Sequence, residues 1–240
     1  MDTPCVIHPS RGKGEKKLPP VGIVAINPTD ATQLGVLAKQ YTLKKQFLFH
    51  SQLFAGEKFF LAGPAVGAPM ATLCVEKCIA LGAKRIIVYS WCGAVSQQVN
   101  IGDLVLPISG VSEEGTSRHY EGEAHIFEPD MALMTSLDTM LQCNEYHTLK
   151  GCVWTTDAVY RETREKVAQY GAAGVLGVDM EYTALASVAA FRGVQLAALM
   201  LVSDELYHET WQSQLHTHAF RSTSKHILAL LCQAAAAGNF

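Results

Sequence analysis

Short apolar runs alternate with stretches of helical period from about residue 21 to the end of the chain. No linker, low-complexity block or repeat interrupts them. Apolar runs at 21–26, 58–62, 85–90, 101–107, 150–155, 172–178 and 196–202 read as strands. Helical patterns are expected at 70–81, 131–143, 182–191 and 214–236, and Asn27-Pro28-Thr29-Asp30 opens another, with Asn as cap and Pro in the first turn. This alternation predicts one α/β domain over 21–240, with a central mixed sheet flanked by helices. Residues 1–20 are rich in Pro, Gly and Lys and read as a surface arm.

Composition bounds the function. Of 240 residues, 49% are apolar and 17% charged, which suits a buried sheet with covered faces. A net charge of -3 suggests neither a nucleic-acid nor a membrane-surface partner. The longest apolar runs fall short of the roughly 18 residues needed to cross a bilayer. The N-terminal stretch lacks the apolar segment of a signal peptide. The seven cysteines are scattered without a CxxC pair, so free thiols in a reducing cytoplasm are expected. Cys74 and Cys78 share a helix face, where core packing outweighs metal binding, and neither a metal nor a cofactor is expected.

Polar chemistry gathers where strands end. The run 172–178 leads into Asp179-Met180-Glu181 and then directly into a helix with Gly193 as its stop. The run 196–202 ends in Ser203-Asp204-Glu205, and the run 85–90 ends in Trp91-Cys92-Gly93-Ala94. Carboxylates at the carboxyl ends of strands in an α/β sheet point into the ligand crevice. The plainer reading of Asp179 and Glu181 is helix initiation, worth roughly 0.3–1 kcal/mol. Three such turns in one chain are more telling than any one of them.

Several of these stretches resemble the purine-nucleoside and uridine phosphorylase family, of trimeric or hexameric type. They are Val178-Asp179-Met180-Glu181, Leu201-Val202-Ser203-Asp204, and Cys92-Gly93-Ala94 before Ile101-Gly102-Asp103. Val66-Gly67-Ala68-Pro69 and Glu114-Gly115-Thr116-Ser117-Arg118-His119-Tyr120 add to them. The resemblance implies a nucleoside phosphorylase-like fold and cleavage of the N-glycosidic bond of a ribonucleoside, purine-type base preferred, with phosphate as co-substrate. Glu181 then holds the ribose hydroxyls, Met180 packs on the sugar, and Asp204 donates a proton to the leaving base. Asp179 stands at a variable acidic position of the motif. Cys92 and Gly93 line the substrate. His8 reaches the sugar of a neighbouring subunit, so a homodimer unit within a homohexamer is implied. Val159 stands where an aromatic often stacks on the base; Tyr160 or Trp91 is the replacement, and Arg161 faces the base.

The same alignment departs from the family on the phosphate side. Ile26 replaces a glycine, Asp30 and Val88 replace two arginines, and Trp91 replaces a Ser or Thr. Only Lys45 keeps the third cation, contributed across a dimer. Gly67 marks a turn where backbone approaches a ligand. Two readings follow. The anion site is rebuilt from Arg11, Lys13, Arg118, Arg161 or Arg164, or else the enzyme is a nucleosidase with Asp30 activating water. A non-catalytic nucleoside-binding protein is a third possibility, against which the pairing of Glu181 with Asp204 argues.

Overall fold

The computed structural model describes residues 5–120 and 127–240. Residues 121–126, which follow the Glu114–Tyr120 stretch, therefore lie outside the described residues. The chain runs β1 (Val21–Ala25), α1 (Pro28–Gln40), β2 (Lys44–Gln46), β3 (Gln52–Ala55), β4 (Phe59–Gly63), α2 (Ala68–Leu81), β5 (Arg85–Ala94) and β6 (Leu104–Glu113). It continues with α3 (Met131–Gln142), β7 (Thr148–Thr156), α4 (Arg164–Ala172), β8 (Val175–Asp179), α5 (Tyr182–Arg192), β9 (Gln195–Glu205), β10 (Gln212–Ser213) and α6 (His218–Ala237).

The expected mixed sheet flanked by helices is present. Its order is β10-β9-β6-β7-β8-β5-β1-β4-β3-β2, and β9 also pairs with β5. Strands β5, β8, β7, β6 and β9 therefore close on themselves, while β1, β4, β3 and β2 extend from β5 as an open wing. β5 is the hinge of this arrangement. Its first half lies parallel to β1, its whole length lies parallel to β9, and its last two residues pair antiparallel with β8.

Successive side chains on a strand face opposite ways, so each strand feeds two cores. Ile86 and Val88 of β5 pack towards α2 and α5 with Val75, Cys78, Leu185 and Val188. Ile87 and Tyr89 pack towards α1, α3 and α6 with Leu34, Leu137, Ile227 and Leu231. Cys74 and Cys78 are both buried in the first of these cores.

Four elements escape the apolar pattern. β2 and β3 are short strands at the far end of the wing, and β2 is Lys-Lys-Gln with exposed or half-buried residues. α4 buries only Val167, so it carries too few apolar positions for a helical period. β10 is two exposed residues held against Glu205 and Asp204. That return delays α6 to His218, where Thr217 caps it by accepting from the Phe220 amide at 3.3 Å. β5, β6 and β9 run longer than their apolar cores, so Trp91–Ala94 and Ser203–Glu205 lie within strands instead of after them.

Asp179 ties β7, β8 and α5 together. Its Oδ1 accepts from Thr155 Oγ1 of β7 at 2.6 Å, and its Oδ2 accepts from the Glu181 and Tyr182 amides at 3.0 and 2.7 Å. The Asp179→Ala variant removes a helix-start acceptor and strands a buried hydroxyl. Together these should cost about 2–4 kcal/mol. Urea unfolding checks this as a fall in midpoint at unchanged m-value; a change under about 0.5 kcal/mol would contradict the anchoring role.

Candidate active site

The Asp179 carboxyl, expected at the substrate, is committed to the fold by those three hydrogen bonds. Burial pushes its pKa up to about 6 against the pull of Thr155 and the two amides. Its part is to fix the first turn of α5, and with it the backbone that carries Glu181.

Glu181 is the next residue but one, and its side chain turns the other way. It is 4% exposed, and Oε1 accepts from the Gly67 amide at 2.6 Å. Burial, and then the nearby charge of Asp179, raise its pKa to about 8. Gly67 has φ of 85°, a conformation that favours glycine, and precedes α2 as its N-terminal flanking residue. Nothing lies within 4 Å of where a Gly67 Cβ would stand. Gly67, expected on the phosphate side, thus spends its amide on Glu181. Met180 is half-buried between the two acids.

Asp204 stands near the end of β9. Its Oδ1 accepts from Ser203 Oγ at 2.5 Å and its Oδ2 from Trp211 Nε1 at 2.7 Å. Gly93 joins it to the Glu181 side, because Gly93 pairs with Val178 of β8 and with Asp204 of β9. Adjacent strands lie 4.7–4.9 Å apart, so the Val178 and Asp204 backbones are roughly 10 Å apart across Gly93. A Cβ on Gly93 would fall 2.4 Å from Leu206 Cδ1 and 3.0 Å from Asp204 Oδ2. Cys92 is buried beside it, and burial, followed by the charges of Asp179 and Asp204, raises its thiol pKa well above the ordinary value. The thiol therefore stays protonated and serves as packing between the acids.

A cavity of about 370 Å³ opens at Asp204. Val159, Tyr160, Glu162, Arg164 and Trp211 are among its lining residues, and Glu181 is not. Val159 is partly exposed there and Tyr160 is 98% exposed, so neither ring nor methyls are packed. Arg161 is exposed and does not line this cavity. Glu162 does, and burial together with the Asp204 charge raises its pKa to about 7. The sequence reading passed over Glu162, since nothing local sets it apart from Glu165 or Glu209.

Around Asp30 the expected phosphate or water side is filled with protein. Asp30 is 1% exposed, and its Oδ1 accepts from Ser224 Oγ of α6 at 2.6 Å. Ser224 Oγ also accepts from Trp91 Nε1 at 3.0 Å and shares a 2.9 Å hydrogen bond with Tyr89 OH. The Trp91 ring stands edge-on to Phe220 at 5.0 Å. Asp30 Oδ2 has no hydrogen-bond partner among the described residues. Burial raises the Asp30 pKa to about 6, against Ser224, Trp91 and Asn27. Two expectations are corrected here. Asp30 has no route to a water on a sugar, because α6 and the indole cover it. Trp91 faces α6 with Phe220 and Ser224, away from a base.

The remaining residues lie elsewhere on the chain. Lys45 is exposed on β2, four strands from β5, and lines a broad groove with Lys44 and Lys58. His8 is exposed on the arm. Two residues on, the Ser10 carbonyl accepts from Lys77 Nζ of α2 at 2.9 Å, so the arm lies along the outside of α2. A single chain therefore brings together Glu181, Met180, Gly67, Cys92, Gly93 and Asp204, and leaves His8 and Lys45 apart.

Comparison with known proteins agrees with this architecture. Residues 20–236 match the family described as the Phosphorylase superfamily. Guanosine phosphorylase of Halorubrum lacusprofundi is 27% identical over 153 residues, which is 64% of each chain. A DeoD-type purine nucleoside phosphorylase of Bacillus thuringiensis is 28% identical over 162 residues, covering 64% of this chain and 66% of that one. The chain thus spans just under two thirds of the length of the curated relatives it matches. Among solved structures, purine nucleoside phosphorylase of Toxoplasma gondii in complex with immucillin-H superposes with a TM-score of 0.80 at 17% identity, covering 93% of this chain and 92% of that one. Uridine phosphorylase of Vibrio fischeri gives 0.79 at 21% identity, covering 92% of each.

The buried Glu181 carboxyl makes a measurable demand on stability. Its folded pKa of about 8 lies above its ordinary 4.5, so the fold binds a proton that the unfolded chain releases. That stabilising contribution is whole below pH 4.5 and is lost as pH rises through about 8. Glu181→Gln keeps an acceptor for Gly67 and removes the titration. It should raise Tm by about 2–4 °C per kcal/mol recovered, with a larger gain at high pH than at low. Thermal scans across pH test this, and a gain that does not grow with pH would refute it.

Proposed function

The chain belongs to the phosphorylase superfamily, and from that premise we propose that it splits the N-glycosidic bond of a ribonucleoside with phosphate as acceptor, a purine-type base preferred. The observation that carries the proposal is that Glu181, just past the end of β8, and Asp204, near the end of β9, stand at the ends of the two strands that flank β5 at Gly93. Glu181 stands at the ribose. Its carboxyl accepts from the sugar hydroxyls, and the positive charge that grows on the ring as the C–N bond breaks favours its ionised form, which then offsets that charge. Met180 packs against the sugar. Asp204 stands on the base side, in the cavity walled by Val159 and Tyr160.

Phosphate approaches from the Gly67 side, where the Ala68 and Met70 amides open α2; the Gly67 amide is taken by Glu181 and Pro69 has none. Lys45 and His8 complete the site from a second copy of the chain, as dimer units within a hexamer. Phe47 and Phe49, both exposed beside Lys45, supply an apolar contact for that copy. Phosphorolysis is preferred over hydrolysis because the one acid available as a water base, Asp30, is sealed beneath α6. No described helix is long and apolar enough to cross a membrane, and the cysteines are free, which suits a cytoplasmic enzyme.

A panel of nucleosides incubated with and without phosphate tests the reaction. Base release from guanosine and inosine should require phosphate and yield the ribosyl phosphate. Glu181→Ala should lower kcat/KM by about 10²–10³ through loss of charge stabilisation at the sugar. Equal release without phosphate would overturn phosphorolysis, and an unimpaired Glu181→Ala would overturn the ribose assignment.

A further inference from the structure

Three of the large apolar side chains left exposed among the described residues line one cavity, the one at Asp204. They are Val159 at 46%, Tyr160 at 98% and Trp211 at 63% exposed. Leu206 and the buried Val167 line it too. Glu181 does not, so on the reading above the sugar stands outside and the whole cavity of about 370 Å³ is open to the base. That volume falls in the range that houses drug-sized ligands, more than a bare purine fills.

Trp211 is fixed at its place. Its Nε1 donates to Asp204 Oδ2 at 2.7 Å, and the residues after it pair with β9, Gln212 with Glu205 and Ser213 with Asp204. The one polar group of the indole is satisfied at the acid, while most of its apolar surface stays in water at the cavity mouth. Covering that surface recovers burial free energy. Charge limits what can cover it. Asp204, Glu162 and Glu209 all line the cavity, Arg164 is taken by the Glu209 carbonyl, and His208 bonds to Glu205. A neutral apolar group suits this setting, and an anionic one does not.

The purine ring sets the direction. With N9 bonded to the sugar, N7 is the free nitrogen of the same five-membered ring, where a proton offsets the leaving electron pair. N7 shares an edge of the ring with the group on C6. A base that presents N7 to Asp204 therefore aims its C6 substituent along that carboxyl, whose other contact is Trp211.

We propose that this cavity selects purine nucleosides that carry an extended apolar group of benzyl size on N6, with Trp211 and Val159 as the specificity-determining residues. The proposal rests on the nucleoside-cleaving reading above and deepens it to a substrate class. Trp211 covers the added group from the Asp204 side, with Tyr160 at the rim. Val159 leaves it room where the resembling family often has an aromatic. The half-buried Glu162 carboxyl is an acceptor for the one N–H that a singly substituted N6 keeps.

The test compares adenosine with N6-benzyladenosine in the presence of phosphate. Wild-type kcat/KM should be about 10-fold higher for N6-benzyladenosine, chiefly through KM, the scale of one aromatic contact with its buried area. Trp211→Ala should erase the preference. Trp211→Phe keeps a ring but no N–H, so it should hold most of the preference while kcat falls on both substrates, because Asp204 loses a donor. Val159→Phe should fill the cavity and reverse the preference. A second measurement needs neither turnover nor a variant. Trp154 is fully buried and Trp91 is packed against Phe220, so tryptophan emission reports Trp211. Titrated by that signal, N6-benzyladenine should bind wild type about 10-fold more tightly than adenine.

A wild type that cleaves adenosine well and N6-benzyladenosine at less than about a tenth of that rate would overturn the proposal. So would a preference that Trp211→Ala leaves intact, or free adenine binding as tightly as N6-benzyladenine. Failure to release base from any nucleoside defeats the functional reading instead, and the binding ratio of the two free bases then decides the inference by itself.

Discussion

Three strand ends meet at Gly93, and the site depends on how closely they can approach. β5 must turn from its partnership with β1 to one with β8 while staying paired to β9. Side chains would prevent this. A Cβ at Gly93 meets Leu206 and Asp204, and a Cβ at Gly177 would lie 3.0 Å from Cys92 Sγ and 3.3 Å from the Gly93 carbonyl oxygen. Gly93, opposite Val178, and Gly177, opposite Ala94, thus ease the close approach of β5 and β8 that closes the ring of strands. Closure sets the distance between Glu181 and Asp204, because both ride on strands that share Gly93 as a neighbour. Backbone pairing places the two acids, and their own hydrogen bonds, to the Gly67 amide and to Ser203 and Trp211, hold the side chains.

The closing of the ring also explains which parts of the site could be read from sequence. A strand that ends in a carboxylate and enters a helix is a local pattern, so Glu181 and Asp204 stood out before any fold was known. Val178-Asp179-Met180-Glu181 does not reveal that Asp179 turns back onto Thr155, because Thr155 lies 24 residues away on another strand. Glu162 had no local mark, since its raised pKa comes from burial and from Asp204, 42 positions further on. The wing strands β2 and β3 and the helix α4 were missed for a related reason. β2 and α4 bury little and β3 is only four residues long, and hydrophobic period over a longer run is the signal by which a sequence announces an element.

Asp30 illustrates the opposite error. Its position after an Asn-Pro helix start is consistent with both helix initiation and chemistry, and the alignment places it where an anion-binding arginine is expected. The contact that decides comes from 194 residues away, through Ser224 on α6. Trp91 and Tyr89 share that hydroxyl, so substitutions at separate points of the sequence form one packed group. An indole and a short acid fill a volume that would otherwise admit an anion. The polar knot leaves Asp30 Oδ2 without a partner among the described residues, a local cost that the surrounding apolar core must offset.

The electrostatics of the remaining site then favour one kind of visitor over another. Glu162, Asp179 and Glu181 all have pKa values raised chiefly by burial, and the neighbouring acids raise them further. Two nearby arginines are engaged by protein acceptors: Arg164 by the Glu209 carbonyl and Arg118 by the Gly115 carbonyl at 3.1 Å. A positive charge developing beside these carboxyls, as on a ribosyl cation in the transition state, favours their ionised forms and is stabilised by them. A phosphate dianion favours their protonated forms instead and gains no partner charge from them. On the proposed reading the two demands are met by different chains. The protomer supplies carboxyls for the sugar and base, and a second copy supplies the partner's Lys45 for phosphate. Assembly then becomes a condition of the reaction and not only of stability, because the cation that meets the nucleophile comes from the second copy.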